Sequence, residues 1–159
     1  MPSTRFEQRI RFYFLKKGFT LKKRKPLKKT IVQLFQTRRK NLGSLNYIFC
    51  SDEYLLELNK NQLKHDYYTD ILTFPLSALG EPIVADIYIS IDRVRENAKT
   101  FGTTLTEELP RVIFHGALHL CGYKDKSKTQ TKKMRSMENK WLTHYLKRVP
   151  RETRTVSGW

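Results

Sequence analysis

Residues 106–125 read TEELPRVIFHGALHLCGYKD. Thr106 can cap a helix here, and Glu107 and Glu108 suit the positive end of its dipole. Val112, Ile113, Phe114, Ala117, Leu118, Leu120 and Cys121 then leave almost no polar face. A helix that is apolar all round is buried, so this one must be covered by the rest of the chain. Pro110 belongs in the first turn or else bends the helix. Gly122 stands where a helix-ending glycine belongs. Two histidines, His115 and His119, interrupt this apolar segment.

The flanking sequence supplies the cover. Arg9–Leu15 alternates charged and apolar residues, which predicts an edge strand. Pro26 can open a helix with Leu27, Ile31, Leu34 and Phe35 inward, ending near Asn41 and Gly43. Ser44–Cys50 reads as a strand. Ser51 then caps a helix over Glu53–Asn59, and residues 60–68 are polar and irregular. Asp70–Phe74 and Ile83–Ser90 read as strands around a turn at Gly80, and Asp92–Phe101 reads as a helix closed by Gly102. A last amphipathic helix spans Thr129–Leu146, with Met134, Met137, Trp141, Leu142 and Tyr145 inward. A chain of 159 residues suits one domain. The expectation is an α+β fold: a small, mixed, roughly four-stranded sheet packed by about five helices. The domain is expected over residues 1–146, and residues 147–159 form a basic tail expected to be disordered.

Thirty-one Lys and Arg face fifteen Asp and Glu, a formal net charge of +16. That excess exceeds what solubility requires and points to a polyanionic partner, nucleic acid first. No stretch approaches the roughly 20 apolar residues that cross a bilayer. The first residues lack a signal peptide's apolar region, and two cysteines make no disulfide framework. A cytoplasmic protein without a membrane partner is expected.

His115 and His119 stand four residues apart, so both rings project from one helix face. Burying two imidazoles without partners would cost several kcal/mol, on the order of 2–7 for each polar group. A metal ion would satisfy them. After Gly122 the chain can turn back and bring Asp125 towards the rings, and a carboxylate oxygen is an acceptable zinc ligand. Cys121 competes for that place but lies about 200° around the helix from His119 and reads as core. His144 reads as surface or packing. A metalloprotease would carry its glutamate beside the first histidine; here that position is Gly116.

HGALHLCGYKD, residues 115–125, resembles the signature of the YbeY family of bacterial endoribonucleases, usually HGxLHLxGYDH. Residues 69–75, TDILTFP, resemble the family's T(N/D)VLSFP segment. Residues 85–90, ADIYIS, resemble its GDIxIS strand. Asn59 precedes the intervening loop as in the family. The resemblance implies a zinc-dependent hydrolase of RNA phosphodiesters that acts in ribosomal RNA maturation, at the small-subunit 3′ end, and in ribosome quality control. It implies single-stranded or ribosomal RNA and ribosomal proteins as partners. Two positions depart from the pattern. Asp125 replaces the third zinc-binding histidine, which makes a His₂Asp site of His115, His119 and Asp125. Leu63 replaces a loop arginine, with Lys64 and His65 beside it as stand-ins.

A three-ligand zinc lowers the pKa of bound water to about 7 and polarises a phosphoryl oxygen. Asp70, Asp86 and Tyr123 are the candidates for acid, base or hydrogen-bonding work. Against those roles, Asp70 can cap a turn, Asp86 can fix a sheet edge, and Tyr123 can pack over the helix end. Candidate RNA contacts are Lys22, Lys23, Arg24, Lys25, Lys64, His65, Arg148, Arg151 and Arg154, with Trp159 free to stack on a base. Two rivals remain: a non-catalytic, zinc-containing RNA-binding assembly factor of the ribosome, and a metal hydrolase with a non-nucleic substrate.

Overall fold

The computed structural model describes residues 2–149. The elements run α1 (Pro2–Glu7), β1 (Ile10–Phe14), α2 (Arg24–Thr37), β2 (Leu42–Cys50), α3 (Asp52–Leu63), β3 (Ile71–Pro75), β4 (Ile83–Ser90), α4 (Ile91–Phe101), α5 (Leu105–Leu120) and α6 (Lys128–Arg148). The strands form one mixed sheet in the order β1-β2-β4-β3. β1, β2 and β4 are parallel, and β3 runs antiparallel to β4. The expected α+β architecture is present, with α1 as a helix that the apolar periodicity did not announce.

Alternation divides the sheet into two faces. Leu45, Tyr47 and Phe49 of β2 and Ala85, Ile87 and Ile89 of β4 join the main core with residues of α2, α5 and α6. The opposite face carries a smaller cluster of Cys50, Leu55 and Leu72, with Phe74 and Tyr88 packed on it. The apolar α5 is therefore enclosed. The fully buried Tyr47 hydroxyl ties it to the sheet by donating to the Ile113 carbonyl at 2.9 Å. A Cβ added at Gly116 would meet Ile87 Cδ1 at 2.9 Å and Ile71 Cδ1 at 3.0 Å. Any larger residue there must push these two side chains aside.

Several boundaries differ from expectation. Thr104, not Thr106, caps α5, accepting from the Glu107 N–H at 3.3 Å. Pro110 thus falls in the second turn, where its missing N–H removes one helical hydrogen bond. α2 starts before Pro26 and ends at Thr37, followed by the left-handed Arg39, and β2 already begins at Leu42, which pairs with Ile83 of β4. Residues 60–63 extend α3. Ser51 and Gly102 act as expected, as the cap and the left-handed end of their helices. α6 reaches Arg148 and Val149 is buried, so residues 147–149 belong to the packed body. Arg151, Arg154 and Trp159 lie outside the described residues.

Candidate metal centre

His115 and His119 sit in the last turns of α5, and Gly122, at φ 102°, reverses the chain behind them. Asp125 Oδ2 comes to 3.2 Å from His115 Nε2 and 3.4 Å from His119 Nε2. One ligand atom from each of the three residues lies within 4.8 Å of the others, a group that could hold a metal ion.

The other ring nitrogens decide what the cluster can accept. His119 Nδ1 lies 2.9 Å from the Tyr123 carbonyl oxygen. A carbonyl only accepts, so Nδ1 carries the proton and donates. His115 Nδ1 lies 2.6 Å from Glu138 Oε2, an ionised acceptor that fixes the same tautomer. With both Nδ1 atoms donating, the two Nε2 atoms face the Asp125 carboxylate. That point calls for a cation: a metal ion between neutral rings and the carboxylate or, without one, a proton on His115 Nε2. Two imidazoles and one carboxylate suit zinc, and a carboxylate behind a ligating histidine is a familiar supporting partner.

Acids crowd around this point. Glu138, on α6, has a side chain only 8% exposed and is held by Arg111 at 3.4 Å. Burial pulls the His115 pKa down, but hydrogen bonding to Glu138 and the charges of Glu138, Asp125 and Asp70 outweigh it, and the net shift is upward. Burial raises the Asp70 carboxyl above its usual range, against a lowering by His115. Glu108 is also raised by burial, against Arg111 and Arg135. The cluster attracts positive charge.

The centre opens into a cleft of about 1400 Å³, which Asp70, His115, His119 and Asp125 line together. The residues proposed from sequence divide here. Asp70 reaches the cleft and receives a 3.5 Å hydrogen bond from Asn97 Nδ2. Asp86 faces the other side of the sheet, because Ile87, next to it, meets Gly116 of α5. β4 is an inner strand, so Asp86 does not fix an edge; it accepts from Asn46 Nδ2 at 3.0 Å. Tyr123 contributes its carbonyl, while its ring packs 4.8 Å from the Arg38 guanidinium. Cys121 is buried core, and His144 packs against Trp141.

The chemistry and surroundings of these residues point to one family. The sequence profile described as "Endoribonuclease YbeY" matches residues 16–146. This chain belongs to the YbeY family. It is 43% identical over 137 residues to "Endoribonuclease YbeY" of Cytophaga hutchinsonii, covering 86% of this chain and 96% of that one. It is 54% identical over 106 residues to the protein of the same name from Flavobacterium psychrophilum, covering 67% of this chain and 75% of that one. The solution structure of TM1509 from Thermotoga maritima superposes with a TM-score of 0.59 at 30% identity, covering 86% of this chain and 88% of that one.

Within this YbeY-family chain, the basic run lies apart from the cleft. Lys22 and Lys23 border a separate hollow beside Leu105 and Tyr145. Lys25 and Arg148 border another, and Arg148 also contacts Gln33. Arg24 packs 4.7 Å over Phe14. Lys64 is the left-handed end of α3. His65 and Leu63 do line the cleft, joined by Arg39, Lys40 and Lys126. No spacing distinguishes those three cations from the rest of a basic chain. Glu138 was more legible: it falls four residues after Met134 and three before Trp141, an acid on the inward stripe of α6.

Proposed function

We propose that this chain is a zinc-dependent endoribonuclease that cuts single-stranded RNA in the cleft at His115, His119 and Asp125. The observation that carries the reading is the pair of fixed Nδ1 donors, which leaves two Nε2 lone pairs and a carboxylate oxygen converging on one point. When bound, zinc supplies Lewis acidity towards a phosphoryl oxygen and a more acidic water. The chain supplies the rest. Glu138 and the Tyr123 carbonyl hold the imidazoles in their tautomer and direction. Asp70, whose carboxyl is raised by burial, lines the cleft beside His115 and is the group offered for accepting or returning a proton. Arg39, Lys40 and Lys126 offer cations to the strand's phosphates along the cleft.

The catalytic unit takes in the expected domain and the packed residues up to Val149, and the biological setting is ribosomal RNA maturation at the small-subunit 3′ end, with ribosome quality control, in the cytoplasm. Family resemblance and the +16 charge support that setting. The test is incubation of zinc-loaded protein with single-stranded RNA and with a small-subunit precursor 3′ end. Internal cuts by the native chain, lost in His115→Ala, are expected. Binding without cuts would leave a non-catalytic assembly factor. Equal zinc content in native protein and in His115→Ala/His119→Ala would remove the metal assignment.

A further inference from the structure

The loop after α3 presents two rings to the cleft. His65 and Tyr67 stack at 5.3 Å between centroids with 20° between planes, and Tyr67 Oη lies 3.1 Å from His65 Nδ1. Both residues line the cleft that holds His115 and His119. Tyr67 is 57% exposed, so packing into the core does not account for its position. Asn59 fastens the loop from beneath: it is fully buried, its Nδ2 donates to the Tyr67 carbonyl at 2.9 Å, and its carbonyl accepts from the His65 N–H at 3.2 Å. The rings are thus stacked on one another, on a main chain that Asn59 holds at two points.

We propose that His65 and Tyr67 form a stacking platform for one unpaired base of the RNA strand whose backbone passes the metal centre. This rests on the proposed function and adds the means by which single strands are chosen. Three features of the cleft identify a nucleotide as occupant. The exposed faces are flat and aromatic, and every base has a matching π-face. Arg39 and Lys40 line the same cleft and complement phosphates. The polar His65 edge and Tyr67 hydroxyl suit a wet aromatic contact better than a buried apolar one. A duplex keeps its bases stacked within itself and offers none to the platform. The contact is indifferent to base identity, since no hydrogen-bonding edge is read.

The test uses single-stranded RNA just long enough to span the cleft, so that its length fixes the register, with 2-aminopurine at successive positions, whose fluorescence is quenched when the base stacks. It is titrated with the full chain under chelator, so that no strand is cut. Native protein is expected to quench strongly at one position, and an abasic nucleotide there is expected to weaken binding on the order of tenfold. Tyr67→Ala should lose the quenching and a similar factor in affinity, and Tyr67→Phe should keep both. Position-independent quenching, equal sensitivity to abasic sites along the strand, or Tyr67→Ala with native quenching would overturn the platform. So would weaker binding by Tyr67→Ala with its quenching pattern intact, since that marks a structural role. Zinc-loaded native protein is assayed for cutting in parallel. Position-specific quenching without cuts would remove the nuclease reading and leave the platform, and cuts without it would do the reverse.

Discussion

At the scale of single residues, the candidate metal centre draws on groups of unequal visibility in the sequence. His115, His119 and Asp125 could be read from sequence because helical spacing and one glycine turn bring them together locally. Glu138 and the Tyr123 carbonyl act through tertiary contacts: one comes from another helix, and the other is a main-chain atom that residue type does not reveal. Glu138 tests how far the supporting contact matters. Glu138→Gln keeps an oxygen for His115 Nδ1 but removes the charge that makes its 2.6 Å bond strong. Zinc affinity, read by chelator competition, is expected to fall about 10–100-fold while the fold survives; unchanged affinity would show that His115 needs no carboxylate behind it. Asp70 makes a prediction of opposite sign for stability. Its folded pKa is raised by burial, so the native state binds the proton more tightly than the unfolded chain. Its contribution to stability is present at low pH and is lost as pH rises from the unfolded value through the folded one. Above that range the charge weakens the metal-free fold. Asp70→Asn should therefore raise the Tm of chelated protein at neutral pH, with the two curves converging in acid, while RNA cutting falls. A lower Tm for the variant at neutral pH would contradict this account.

At the scale of elements, α5 is where sequence and structure agree best, because an all-apolar helix allows one environment. Its cap differs from expectation because Thr104 and Thr106 are both capable caps two residues apart, and the helix starts at the first of them. The end of α2 differs because Asn41 and Gly43 satisfy a helix-stop pattern, whereas Leu42 pairs with Ile83 of β4 and Gly43 falls at a bulge inside β2. Asp86 was misjudged for a similar reason, since alternation alone does not say which face of β4 meets α5. Gly116 now separates a packing role from a catalytic one. It lies between the two histidines on the face pressed to Ile71 and Ile87. Gly116→Ala forces a methyl into contacts tighter than side chains normally make. Crowding costs about 1–3 kcal/mol and alanine's better helix propensity returns about 1 kcal/mol, so a net loss of up to about 2 kcal/mol is expected, measured by denaturant unfolding under chelator. A variant more stable than the native chain would mean that the Ile71 and Ile87 side chains move aside at little cost.

At the scale of the whole molecule, the charge of +16 was legible as an attraction to polyanions, but its distribution was not. The densest basic run, Leu21–Lys29, borders hollows separate from the metal centre, whereas Arg39, Lys40 and Lys126 line the cleft itself. Sequence density reports where cations are adjacent along the chain; the turn between α2 and β2 makes Arg39 and Lys40 neighbours of a site more than seventy residues away. The two groups can be told apart because they remove equal charge from different places. Arg39→Ala/Lys40→Ala and Lys25→Ala/Lys29→Ala each delete two cations, so any long-range steering of RNA falls alike in both. Direct phosphate contacts do not fall alike. For a single strand, each lost contact lessens the slope of log affinity against log salt by about 0.7. The cleft pair is therefore expected to lower that slope by about 1.4 and to slow cutting at subsaturating RNA. The Lys25/Lys29 pair should change the slope by less than one contact's worth and slow cutting less. Equal losses in both variants would mean that RNA follows the whole basic surface and that the cleft holds no privileged path to the metal centre.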